Sequence, residues 1–287
     1  MSIFMNSDCF LCQLNRHLNH AKKLGDERQT ARFAKALMKL YAEAPEDACA
    51  PYFSGRVNDL FQKFYGLDPD RYRQEKADSN QFVLERLPQL RSRVEAAADP
   101  IYTGLQLAIF GNYIDFGALQ DAVSFEELDR LLEQAEEKEL DRTCYQQLLQ
   151  DLENGKNLVY LTDNAGEIGF DRVLAEQIHR RYPALQITFC VRGGPALNDA
   201  TREDAALMEI PFPVIDNGTC IAGTLLDEIG EEARQALYGA DLILAKGQGN
   251  CESLYQSGLN IYFAFLVKCD RFINAFHQPK FTPILTK

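Results

Sequence analysis

The sequence of 287 residues predicts an α/β protein, with a helical N-terminal part packed on a mostly parallel sheet that is covered on both faces. Two observations carry this reading. Up to Gly155 the apolar residues recur at helical spacing, and from Asn157 onward short apolar runs of strand length alternate with helical stretches. Such alternation implies parallel strands with helices on both sides, and places a ligand site outside the carboxyl ends of the strands.

The elements follow in order. Helical periodicity covers residues 9–24, 27–44, 51–65, 71–97 and 124–152, punctuated by Pro45, Pro51, Pro69 and the Asp99-Pro100 pair. Between the last two helices the apolar segment Ile101–Phe110 runs into Gly111-Asn112-Tyr113-Ile114-Asp115-Phe116-Gly117. Ser124 and Glu127 fit a capping box, and Leu128, Leu131, Leu132, Ala135, Leu140 and Leu148 supply the apolar stripe behind it. Strands are then expected at Asn157–Thr162, Leu185–Val191, Pro213–Asp216, Leu242–Ala245 and Ile261–Val267. Helices are expected at Ile168–Tyr182, Thr201–Met208, Glu231–Tyr238 and from Cys251 to Ser257. No repeat, low-complexity tract or linker separates the helical region 1–155 from the α/β region 156–287, so one compact body is expected.

Charge narrows the partners. With 42 acidic and 30 basic side chains the formal charge is −12, which argues against nucleic acid or an anionic membrane surface. Eleven acids against three bases fall between Asp121 and Glu153, the pattern of a solvated helix face. From Asn157 to Asp199 five acids meet four bases, so a small phosphorylated ligand, bound with a cation, is not excluded. No run approaches the ~18 uninterrupted apolar residues of a membrane span. The start, MSIFMNSDCFLCQL, lacks a secretory pattern, and the eight cysteines read as reduced thiols of a cytoplasmic protein.

Polar residues gather where the strands end. After the first strand, Asp163-Asn164-Ala165-Gly166-Glu167 sets a carboxylate and an amide oxygen side by side, a pair suited to a hard cation. The amides at the start of the next helix suit an anion, although Asp163 or Asn164 equally serves as a helix cap. After the second strand, Arg192-Gly193-Gly194-Pro195-Ala196-Leu197-Asn198-Asp199 brings Asp199 within reach of the same cation and Arg192 to a phosphate, with capping by Asn198 or Asp199 as the alternative. After the fourth, Lys246-Gly247-Gln248-Gly249-Asn250-Cys251-Glu252 offers a cation beside backbone that a ligand can approach closely, or an ordinary strand–helix turn. It is neither a Walker A loop nor a dinucleotide fingerprint. Asn112 and Asp115 either cap a helix or line the site, and Asp216-Asn217-Gly218-Thr219 with Gly223-Thr224 makes a further strand-end loop. Only four residues separate Cys9-x-x-Cys12 from His17 and His20, too few for a zinc finger; on one helix face the two cysteines could bind metal, form a redox pair or pack, and packing is the favoured reading.

In this order, D-N-A-G-E at 163–167, N-D-A-T at 198–201, K-G-Q-G-N-x-E at 246–252 and G-N-x-I-D-F-G at 111–117 resemble the metal-dependent damage-control phosphatases (domain of unknown function 89). The N-terminal C-x-x-C looks like their stand-alone prokaryotic branch. The resemblance implies a Rossmann-like three-layer sheet and a divalent cation, Mn²⁺, Mg²⁺, Co²⁺ or Ni²⁺, at the strand ends. It implies Asp163, Asn164 and Asp199 as metal ligands and Lys246 as the group that neutralises the phosphate. Gly166, Glu167, Arg192, Asn198, Asn250, Glu252, Asn112 and Asp115 are the expected phosphate or substrate neighbours. The implied reaction is hydrolysis of phosphomonoesters of small metabolites, sugar phosphates or damaged phosphometabolites. A water activated by the cation attacks phosphorus, with a covalent Asp163 or Asp199 as the alternative. The K-G-D-x-N-Y-R pattern of the eukaryotic sugar-phosphate branch is absent here, so its specificity does not carry over. The rival functions are S-adenosylmethionine-dependent methyl transfer and non-catalytic binding of a phosphometabolite.

Overall fold

The four residues after Asn157 are buried on both sides of the sheet, and they set the centre of the molecule. Strand β1 (Asn157–Leu161) lies between β2 (Gln186–Val191) and β4 (Leu242–Lys246). Beyond β2 lies β3 (Val214–Asp216); beyond β4 lie β5 (Ile261–Leu266) and β6 (Pro283–Thr286). The order is β3-β2-β1-β4-β5-β6, parallel except for β6 against β5. Leu161 pairs with Cys190 on one side and Ala245 on the other, so the chain leaves β1, β2 and β4 side by side at one edge. The strand order reverses direction between β1 and β4, which makes that edge the topological switch point. The structure is a computed structural model that describes residues 5–115 and 124–287; Phe116, Gly117 and Asp121 lie outside the described residues.

The pleat sorts side chains onto two faces. Leu158, Tyr160, Ile187, Phe189, Leu244, Tyr262 and Ala264 join one core, and Val159, Leu161, Cys190, Ile243, Ala245, Phe263 and Phe265 join the other. On the first face pack α4 (Arg73–Ala96), α5 (Pro100–Gly111), α6 (Phe125–Glu133), α7 (Arg142–Asn154) and α8 (Glu167–Arg181). On the second pack α10 (Glu231–Tyr238), α11 (Gly247–Leu254) and α12 (Asp270–Phe276). The short α9 (Arg202–Leu207) joins β2 to β3. A third core belongs to α1 (Ser7–Leu24), α2 (Glu27–Ala42) and α3 (Ala50–Tyr65). The first core runs from Phe82 to Leu285 and so crosses residue 155 without a break. Among the described residues no helix is long and apolar enough to cross a membrane.

Helix α5 explains how a helical region becomes a layer of an α/β fold. Every residue from Ile101 to Gly111 is buried, as a helix apolar on nearly every side requires. Asp99 caps it by accepting the Tyr102 amide at 3.2 Å, and Pro100 fits the first turn.

The expected single helix over 124–152 is instead α6, a 3₁₀ turn (Ala135–Glu137) and α7. Side chains of α5 take up the polar groups at the break. Gln106 Nε2 donates to Ala135 O and Lys138 O, and the Leu140 amide donates to Tyr102 Oη at 2.9 Å. The helix expected from Cys251 begins four residues earlier, at Gly247. Helix α12 and strand β6 were not expected. β6 has four residues and opens on a proline, which an edge strand tolerates at its first position.

Leu105 is fully buried in α5. Leu105→Ala is expected to cost about 2–5 kcal/mol, read as a fall in the urea midpoint at unchanged m-value.

Candidate active site

Three strand ends deliver polar residues to the switch-point edge. Behind β1 the chain runs from Thr162 to Gly166 before α8; behind β2 it runs from Arg192 to Thr201 before α9; behind β4 it passes straight into α11 at Gly247. The first two loops are stitched together. Asn164 and Asp199 form an antiparallel bridge, the Ala165 amide donates to Asn198 O at 2.9 Å, and the Ala200 amide donates to Asp163 O at 2.7 Å. Gly247 takes φ +81°, and a side chain there would collide with the Asp163 carboxylate. Only glycine lets the end of β4 come this close to the loop behind β1.

The C-terminal residue of α5's cap, Asn112, enters from the helical layer. Its Nδ2 donates to Asp163 Oδ2 at 2.9 Å and to both oxygens of Glu167 at 3.1 and 2.9 Å. Asn164 Nδ2 donates to the same Asp163 oxygen at 3.0 Å and to Glu167 Oε2 at 2.7 Å, and Asn198 Nδ2 donates to Asn164 Oδ1 at 3.0 Å. Arg192 lies beneath. Its Nε donates to Asp199 Oδ2 at 2.6 Å, and its Nη1 donates to Gly223 O, Thr224 Oγ1 and Asn250 Oδ1. Its Nη2 has no hydrogen-bond partner and stands 3.7 Å from Asp163 Oδ1. Asn250 Nδ2 ties the strand ends by donating to Thr162 O and Lys246 O.

This is an expensive place for charge. Burial raises the Asp163 carboxyl well above its usual range, and the neighbouring Asp199 and Glu167 push it further. Burial lifts Asp199 to about 6 against the pull of Arg192, and lifts Asp171 to about 7 against that of Lys246. Four buried carboxylates, Asp163, Glu167, Asp171 and Asp199, share the two cations Arg192 and Lys246, a formal excess of two negative charges. Asn198 Oδ1 is buried with no partner, and the bonds that Asn112 and Asn164 give to Asp163 both go to Oδ2. Acceptor oxygens in excess, of carboxylate and amide type, suit a hard divalent cation. Among the described residues no three His, Cys, Asp or Glu side chains are arranged to hold a metal; the set here is two carboxylates, Asp163 and Asp199, with the amide of Asn164.

Comparison with known proteins gives the family. Residues 5–281 match the family described as the damage-control phosphatase ARMT1-like domain. The chain belongs to the damage-control phosphatase family. A damage-control phosphatase of Archaeoglobus fulgidus is 34% identical over 271 residues, 91% of each chain. One of Pyrococcus horikoshii is 31% identical over 284 residues, 95% of this chain and 94% of that one. An uncharacterised protein of Methanocaldococcus jannaschii is 34% identical over 279 residues, 93% of this chain and 90% of that one. The crystal structure of a DUF89 family protein from Pyrococcus horikoshii superposes with a TM-score of 0.81 at 27% identity, covering 99% of this chain and 98% of that one.

Within this damage-control phosphatase fold, Asp163, Asn164, Glu167, Arg192, Asn198, Asp199, Asn250 and Asn112 meet in one network, and Asp115 stands at its edge. Three expected residues are placed for other work. Lys246 Nζ, wholly buried, donates to Ala108 O at 2.8 Å and to Glu167 Oε1 and Asp171 Oδ1 at 2.7 Å each. Burial opposes its charge, but Asp171 and Glu167 outweigh burial and hold its proton more firmly than usual. An ammonium with three partners has no N–H left for a phosphate oxygen.

The Gly166 amide donates to Asn80 Oδ1 at 2.7 Å, and the Asn164 and Ala165 amides are also engaged. The start of α8 is therefore not an open anion cradle. Glu252 faces away from the network and accepts the Ala50 amide, at the start of α3, at 3.3 Å. The Cys9 and Cys12 thiols are free, and Phe10 beside them packs edge-on against Tyr41 and Phe53. His17 and His20 pack on Phe61.

Sequence reasoning missed Lys268. It follows β5, is buried, and its Nζ donates to Asp115 Oδ2 at 2.6 Å. The signal was available: like Lys246, it is a lysine closing a wholly apolar buried strand.

Burial lifts Glu252 to about 7. Its native form keeps a proton that the unfolded chain releases, so its contribution is present below about pH 4.5 and is lost as pH rises toward 7. Glu252→Gln is expected to flatten the fall in Tm across that window.

Proposed function

We propose that this protein is a metal-dependent phosphatase that hydrolyses phosphomonoesters of small metabolites, sugar phosphates or damaged phosphometabolites among them. The observation that carries the reading is the two-charge excess of buried carboxylate at the sheet's switch point, in a chain whose family and relatives bear the phosphatase name. Asp163, Asn164 and Asp199 are the residues that would hold the divalent cation, Mn²⁺, Mg²⁺, Co²⁺ or Ni²⁺. When bound, the cation supplies positive charge that draws electron density from the phosphoryl oxygens.

The chain's own groups do the rest. Asn112 and Glu167 fix the Asp163 and Asn164 side chains, so their oxygens are held before a ligand arrives. Arg192 Nη2, beside Asp163 Oδ1 and without a partner, has donors to give a phosphoryl oxygen. Lys268 Nζ, at this edge, is paired with a single carboxylate, Asp115, which is partly exposed. Release of Asp115 turns its three donors to the phosphate. Lys246 holds Glu167 and Asp171 in place, and with its three donors engaged its role in this reading is to position them.

The test is hydrolysis of p-nitrophenyl phosphate and a panel of phosphometabolites by chelator-stripped protein, resupplied with each of the four cations. Turnover is expected to return with at least one; no turnover in any combination overturns the reading. A rise in Tm with S-adenosylmethionine and none with a cation would point to methyl transfer instead.

Asp163→Asn and Asp199→Asn are each expected to lower kcat/KM by about 100-fold or more. Lys268→Ala is expected to raise KM for phosphate esters by about 10-fold with a smaller change in kcat, since it removes a charge-assisted contact to the bound phosphate.

A further inference from the structure

Resting on the phosphatase reading above, we infer that Asn80, on α4, is a positioning residue that sets the loop carrying Asp163 and Asn164 against the loop carrying Asp199. Gly166 turns the first loop into α8 with φ +75°, and its amide donates to Asn80 Oδ1 at 2.7 Å. The other end of the same side chain, Nδ2, donates to Asp204 Oδ1 at 2.7 Å. Asp204 belongs to the second loop's helix. Its Oδ2 accepts the Thr201 amide and the Thr201 hydroxyl at 2.8 Å each, and pairs with Lys76 Nζ at 2.7 Å. Thr201 lies two residues after Asp199 and bridges to Arg192.

Lys76, Asn80 and Asp204 are all buried, and none bonds to the residues assigned to the cation. The amide of Asn80 is fully specified: its oxygen must accept from Gly166 and its nitrogen must donate to Asp204. No other residue type presents an acceptor and a donor at that length without changing one of them. Lys76, one helical turn earlier, supplies the cation that lets the Asp204 carboxylate be buried there. Helix α4, far from the motif loops in sequence, thereby holds both ligand-bearing loops from one rigid face.

The test compares Asn80→Asp, Asn80→Ala and the exchange N80D/D204N. The single substitution N80D keeps the acceptor for Gly166 but sets two carboxylates against each other; the exchange restores one donor and one acceptor between the same positions. Hydrogen exchange at residues 163–167 and 199–202 is expected to quicken at least 10-fold in N80D and N80A and to return toward wild type in the exchange variant, with β4 and β5 unaffected. Mn²⁺ affinity, measured by calorimetry, is expected to fall about 10-fold in the single variants and recover in the exchange, as for other residues that orient ligands. The kcat should fall with KM for p-nitrophenyl phosphate nearly constant. Wild-type exchange rates at Gly166 in N80D, or no recovery in the exchange variant, overturn the inference. Absence of Mn²⁺ binding and turnover in the wild-type protein overturns the phosphatase reading instead, and the exchange rates still decide the role of Asn80. Should N80A not fold, Lys76→Met loosens the same Asp204 and must quicken exchange in the second loop.

Discussion

Burying a carboxylate beside two others is the constraint around which this molecule is organised. Asp163 sits with Asp199 and Glu167 at a strand end almost closed to water, where uncompensated charge costs several kcal/mol per ion. The protein offsets this from every side at once. Lys246 comes up from β4, Arg192 from the end of β2, Asn112 from the end of α5 and Asn164 from the same loop. Lys246, Arg192 and Asn112 close elements that are otherwise largely apolar, so the polar cluster is held by the packing of the two cores on either side of it.

Helix α5 shows how closely core and site are joined. Its last turn tightens: the Asn112, Tyr113 and Ile114 amides donate to the carbonyls of Ile109, Phe110 and Gly111. The Asn112 amide is thereby turned from Ala108 O to Ile109 O. Lys246 Nζ donates to Ala108 O at 2.8 Å. A cation at a helix C-terminus is favoured by the backbone dipole and by the carbonyls of the last turn. The same ammonium binds Glu167 and Asp171, and Asp171 also accepts Tyr160 Oη at 2.8 Å. One buried lysine thus links α5, α8 and β1, which gives it a structural role that a strand-end motif alone does not reveal.

Much of this was legible in the sequence, for physical reasons that differ by element. The five parallel strands announce themselves because burial on both faces demands continuous apolar runs, as in Leu242–Ala245 and Ile261–Leu266. The polar residues after them were legible because polar groups closing such runs need partners. What the motif could not give was direction. Asn250 and Glu252 share one motif, yet two residues turn a helix by about 200°, so Asn250 faces the network while Glu252 faces α3. The Asn80–Asp204 pair spans 124 residues and carries no local pattern. Lys268 was missed although it repeats the signal of Lys246. The break within 124–152 depends on Gln106 and Tyr102, which only tertiary structure brings there.

The net charge of −12 misleads about the ligand for the same reason. The acid-rich stretch after Ser124 meets its bases locally: Asp129 pairs with Arg86 at 2.9 Å and Glu136 with Arg93 at 2.6 Å, both on α4 and both partly exposed. Pairs of that kind are satisfied where they stand and are screened by salt. The charge that governs the ligand is the buried excess of two at the strand ends. On the proposed reading a divalent cation would cancel it, and a phosphomonoester dianion would then restore it. The cations that remain for that dianion are the unpartnered nitrogen of Arg192 and the ammonium of Lys268, and Lys268 is already neutralised by Asp115. To gain Lys268, a substrate would have to displace the Asp115 carboxylate. A phosphate dianion that replaces Asp115 Oδ2 on Lys268 would meet that demand, and a singly charged carboxylate ligand would gain little by the exchange. On that proposal, discrimination for phosphate rests on the Asp115–Lys268 pair as well as on the groups that would hold the cation.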